Sequence, residues 1–137
     1  MDVTSFPENR PLTAREAAII AWLLEHGNSS AAEYLQQLDK VRVVSRCSCG
    51  CASVNFSIDG VIPPSENGMG ILSDYQFLTN EGHLCGVFVF EQAGLLAGLE
   101  VWSIDGLTKR PTLPIIEQLQ PLGSVAPPPN TPPDPSL

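Results

Sequence analysis

The sequence predicts an α+β fold: an N-terminal αα-hairpin packed on an antiparallel β-meander of about five strands, followed by a Pro-rich C-terminal tail. Three observations predict it. Apolar residues recur near the helical period before Val41 and with the strand period of two after it. The helical and strand patterns are segregated along the chain rather than alternating. Nine of the 13 prolines fall at position 111 or later, where they disfavour helix interiors and central strands.

Residues 1–12, with Pro7 and Pro11, read as an extended N-terminal segment. Thr13-Ala14-Arg15-Glu16 is a capping box, a hydroxyl followed three residues later by a carboxylate. Leu12 stands where a hydrophobic staple would sit. Ile20, Leu23 and Leu24 then fall on one face, and Gly27 is a C-cap candidate, so a helix is expected over 13–26. Ser30 and Glu33 form a second box, with Ala31, Tyr34, Leu35 and Leu38 as the apolar stripe. The short turn between the two helices predicts a hairpin.

Strands are expected at 41–46, 53–58, 71–78, 84–91 and 95–104. Ser53 to Ile58 alternates polar and apolar residues, as a half-buried strand does. Leu84 to Glu91 is almost continuously apolar, as a central strand would be. Residues 59–69 carry Gly60, Pro63, Pro64 and Gly68 and read as a loop. One domain over 13–120 and an extended or disordered tail over 121–137 complete the expected organisation.

The chain has 137 residues, 43% of them hydrophobic, enough for a core. Its net charge is −8, from 15 acidic against 7 scattered basic residues. No basic stripe is available for a phosphate backbone, which argues against nucleic acid. The acidic surface disfavours anionic membranes and is compatible with a basic protein partner. No apolar run approaches the roughly 20 residues of a membrane span. Four cysteines without a signal-peptide pattern are expected as reduced thiols in a cytoplasm.

The cysteines are the unusual feature. Cys47, Cys49 and Cys51, with Cys85, are candidate ligands for zinc or copper. Zinc holds sulfur at about 2.3 Å, so ligating sulfurs must lie within roughly 4 Å of one another. Residues two apart on a strand are about 6.6 Å apart. A straight strand therefore cannot chelate, whereas a sharp turn at Gly50 can gather the sulfurs, with Cys85 or His83 completing the set. The alternatives are cysteines packed as small buried residues in a hairpin, and redox-active thiols.

Catalytic signals are weaker. Asp74 and Glu100 lie in apolar strands and can face each other across the sheet, as a carboxylate pair would. Acidic residues on the solvent face of a sheet explain them as well. Trp102, if it faces outward beside Glu100, marks a binding surface. His26 and His83 read as a helix-end and a turn residue. No phosphate-binding Gly-rich loop and no His-Glu-x-x-His motif occurs.

The segment Arg46-Cys47-Ser48-Cys49-Gly50-Cys51-Ala52-Ser53-Val54-Asn55-Phe56 resembles a Cys-rich strand-turn-strand signature of small bacterial proteins with no assigned activity. Gly86-Val87-Phe88-Val89-Phe90 and Leu96 to Asp105 are similar to that family's later strands, with Trp102 where tyrosine is usual. The resemblance spans roughly residues 13–122. It implies a bacterial cytoplasmic protein and adds no catalytic residue.

Three functions follow as expectations. The first is a non-enzymatic binding or interaction module, immunity-like or an adaptor, covering a basic protein partner. The second is a metal-binding or thiol-redox protein using Cys47, Cys49, Cys51 and Cys85. The third is an enzyme built on Asp74 and Glu100. A homodimer formed by edge-strand pairing is compatible with all three.

Overall fold

A computed structural model of the chain describes residues 5–66 and 68–123. In chain order they form β1 (Ser5–Pro11), α1 (Ala14–Glu25), a 3-10 helix (Ala31–Lys40), β2 (Val41–Cys47), β3 (Val54–Ile58), β4 (Gly70–Leu78), β5 (Leu84–Gln92), β6 (Leu95–Ser103), a single 3-10 turn (Ile116–Gln118) and β7 (Gln120–Pro121). The seven strands make one antiparallel sheet in the order β1-β2-β3-β6-β5-β4-β7. The expected αα-hairpin on a five-stranded meander is therefore incorrect. Residues 124–137 of the expected tail lie outside the described residues.

Each difference has a physical reason. Ser5–Pro11, expected as a lead-in, pairs with β2. Proline is tolerated there because β1 is an edge strand, where a missing N–H need not break a ladder. The second segment winds as a 3-10 helix, and its Ser30 makes no side-chain cap. Asn28 dominates the junction instead. Its Oδ1 accepts from the Ser30 N–H at 3.0 Å and from the Ser30 hydroxyl at 3.1 Å. Its own N–H and Nδ2 donate to the Leu72 and Ile71 carbonyls.

The meander breaks between β3 and β4. Residues 59–69 make a connection too long for the usual hairpin loop of about 2–5 residues. The chain crosses to the far side of the sheet, forms β4 and β5, and returns as β6 against β3, pairing Val54 with Leu99. Each edge is blunted: β1 carries Pro7 and Pro11, and β7 has two residues.

The first helix forms as its sequence dictates. Thr13 Oγ1 accepts from the Glu16 N–H at 3.1 Å, and the Thr13 N–H donates to Glu16 Oε1 at 2.8 Å. Arg10 adds two hydrogen bonds to the Glu16 carboxylate, at 2.9 and 3.1 Å, tying β1 to α1. Burial pushes the Glu16 carboxyl up, but the bonds from Arg10 and Thr13 outweigh it and hold the group below its ordinary range.

The helix lies against β4 and β5. Ile20, Leu23 and Leu24 join Val43, Phe56, Val87, Val89, Leu99 and Val101 in a fully buried core. Each such side chain contributes about 1.5–3 kcal/mol by leaving water. His26 caps α1, stacks on Trp22 at 4.0 Å and accepts at its carbonyl from the Tyr75 hydroxyl at 2.9 Å. Gly27 has a packing role rather than the expected cap: a Cβ there would run into the Leu72 carbonyl oxygen. Gln37 fastens the 3-10 helix to the β5–β6 hairpin through the Gly94 carbonyl and the Leu96 N–H. No helix among the described residues is long and apolar enough to cross a membrane.

Candidate metal centre

Strand β2 ends at Cys47, and the next six residues carry the chain into β3 through a turn. The Gly50 N–H donates to the Cys47 carbonyl at 3.3 Å, closing the turn. Gly50 has φ of 91°, a left-handed conformation that costs a residue with a Cβ about 1–2 kcal/mol.

This fold of the backbone removes the separation that a straight strand would impose. The sulfurs of Cys47, Cys49 and Cys51 all lie within 4.8 Å of one another. Cys47 Sγ and Cys49 Sγ are 2.7 Å apart. The Cys49 N–H points at Cys47 Sγ at 3.4 Å, and the Cys51 N–H at Cys49 Sγ at 3.3 Å. Donors placed this way orient sulfur ligands from behind. Cys49 is exposed, and Cys47 and Cys51 are half-buried, so the trio is open to solvent.

Both ends of the turn are anchored. The Cys47 N–H donates to the Ser53 carbonyl at 3.2 Å, and the Ala52 N–H to the Pro111 carbonyl at 3.0 Å. The Ser53 hydroxyl donates to the Val101 carbonyl at 3.1 Å and accepts from the Val101 N–H at 2.9 Å. The stem of Arg110 packs over Gly50.

Cys85 does not join the trio. It lies in β5, fully buried. Burial pushes its thiol above the ordinary range; a hydrogen bond with the Thr108 side chain acts in the opposite direction. His83 is also elsewhere. Its Nδ1 lies 3.2 Å from Thr108 Oγ1, and its N–H donates to Thr79 Oγ1 at 3.0 Å, so it serves the β4–β5 turn.

Asp74 and Glu100 share a sheet face but are not directly apposed. Phe88 stands between them, paired with Asp74 on one side and Glu100 on the other. Burial raises both carboxyls, and at Glu100 a Ser53 hydrogen bond partly offsets it. Oδ1 of Asp74 has no hydrogen-bond partner. Trp102 lies two residues beyond Glu100, opposite Gly86, and is 41% exposed.

Sequence reasoning missed a second concave region. Arg15, at the start of α1, and Arg110, after β6, line one cleft together with Thr79, Thr108 and Thr112. The two arginines are distant in sequence, and no local spacing signals their meeting.

Comparison with known proteins finds no matching family model, no matching curated protein and no matching solved structure. The functional reading therefore rests on the geometry of the chain itself.

Proposed function

We propose that this chain is a non-enzymatic metal-binding protein that holds a thiophilic ion, zinc or copper(I), through Cys47, Cys49 and Cys51. The observation that carries the reading is the convergence of three sulfurs within 4.8 Å on an anchored, solvent-open turn. Zinc or copper(I) bound to three thiolates requires sulfurs roughly 4 Å apart. The trio brackets that spacing, with Cys47 and Cys49 at 2.7 Å and all three sulfurs within 4.8 Å.

Three sulfurs suffice for copper(I), which accepts soft thiolates in low coordination. Zinc takes four ligands, and Cys85 is not in reach of the group, so a fourth ligand would come from water or another molecule. The ion binds only deprotonated thiols, so affinity falls as pH falls. A competition titration against a chromophoric chelator, under reducing conditions, tests the reading. A stoichiometric complex that weakens on acidification is expected. Failure of the protein to compete for either ion would end it.

The same trio can serve as a redox dithiol, for which the 2.7 Å approach of Cys47 and Cys49 is the favouring observation. Mild peroxide treatment would then join those two sulfurs with loss of two hydrogens, read by mass spectrometry. Bound metal should block that loss.

An interaction module is supported by one separate observation. Trp102 stands half out of a sheet face that also carries Asp74 and Glu100. Loss of a partner on Trp102→Ala with the fold retained would support it.

A further inference from the structure

We propose that the cleft between α1, the β4–β5 turn and the segment after β6 binds a small oxyanion, a phosphate or a carboxylate group, between Arg15 and Arg110. The cleft has a volume of about 460 Å³, within the range of about 300–1,000 Å³ usual for small-molecule sites. Arg15 enters it from the first turn of α1, Asn80 and Glu81 from the β4–β5 turn, and Arg110 and Thr112 from the segment after β6.

The charges are the decisive feature. Acidic residues outnumber basic ones 15 to 7 in this chain. Arg10 and Arg46 are paired with Glu8 and Glu16. Among the described residues, neither Arg15 nor Arg110 makes an ion pair. Two arginines thus line one concavity, neither of them ion-paired among the described residues, although carboxylates are in excess. Guanidinium forks match phosphate and carboxylate oxygens in pairs of hydrogen bonds.

The walls are preformed. Arg15 Nη2 donates to the Leu113 carbonyl at 3.3 Å, leaving its other donors available. Arg110 is held by its stem against Gly50. Thr79 and Thr108 are fixed through His83, and Gln118 Nε2 donates to the Leu78 carbonyl at 3.2 Å. Phe77, Leu113, Pro114 and Ile115 supply apolar wall, which strengthens a charged contact by excluding water. Glu81 is the one carboxylate in the lining, and its charge opposes an anion.

Backbone amide spectra of the full chain, titrated separately with inorganic phosphate and with succinate, test the site. Saturable shifts of the Asn80, Arg110 and Thr112 amides are expected with at least one anion. Phosphate alone, succinate alone or both would each support the site and name its source chemistry. Arg15→Gln and Arg110→Gln should each weaken the response about tenfold, and Glu81→Gln should strengthen it. Arg15 and Arg110 are exposed, so the variants should keep the parent spectrum elsewhere. Shifts that do not saturate with either anion, or that persist unchanged in both arginine variants, would overturn the proposal.

Discussion

Cys85 and the Cys47–Cys51 trio are the same residue type in opposite settings. Cys85 stands on a regular central strand, where alternation turns its thiol into the core beside Val87 and Val101. The trio stands where a strand has just ended, on a turn that gathers its side chains instead of alternating them. The difference teaches that cysteine chemistry here is set by the backbone under each thiol. A regular strand isolates sulfurs; a left-handed glycine collects them.

Four outcomes would sharpen or break this comparison. The largest concerns Cys49. Cys49→Ser should weaken metal binding by about 100-fold or more, since even outer-shell losses cost about 10–100-fold. The metal-free protein should keep its stability within about 0.5 kcal/mol, because the side chain is exposed. Chelator competition and thermal unfolding measure the two effects separately.

Cys85→Ser should give the reverse. A hydroxyl placed in that buried site should lower stability by about 1–3 kcal/mol, with metal affinity unchanged. Urea unfolding beside a metal titration checks both halves.

Gly50→Ala comes next. A Cβ at φ of 91° is strained, and it would also press on the Arg110 stem at 3.3 Å. A loss of about 1–2 kcal/mol is expected, together with weaker metal binding. Unchanged metal affinity with lowered stability would mean that the turn does not gather the ligands.

The smallest effect tests burial on a carboxylate. Asp74 has a raised folded-state pKa, so its folded form favours the proton. That contribution is fully present below the ordinary carboxylate range and is lost as pH rises through the raised value. Asp74→Asn should therefore stabilise the protein modestly at neutral pH, with the gain vanishing in acid. Glu16 has the opposite sign: its depressed pKa gives stability above the ordinary range, lost as pH falls through the depressed value. Unfolding curves across pH separate the two.

Local elements were legible in the sequence, and long-range ones were not. The Thr13–Glu16 box marked the start of α1, alternation marked β3, and the continuous apolar run of Leu84 to Glu91 marked β5, because these signals lie within a few residues. Pro7 and Pro11 hid β1, since proline argues against a strand unless the strand is known to be an edge. The pairing of Val54 with Leu99 joins residues far apart in sequence, and nothing in either segment names the other. The cysteine spacing was visible, and a turn at Gly50 was the condition for chelation. Which sulfurs would meet was not visible, because Cys85 is excluded only by the pairing of its strand with β4 and β6. Arg15 and Arg110 come to line one cleft only because the segment following β6 folds back to the start of α1, where Arg15 bonds the Leu113 carbonyl.

The most direct test is elemental analysis of reduced, metal-supplemented protein in two forms. One carries Cys85→Ser, and the other carries serine at all three of positions 47, 49 and 51. The account predicts about one zinc or copper ion per chain in the first and none in the second. Metal lost from the first form, or retained in the second, would contradict it.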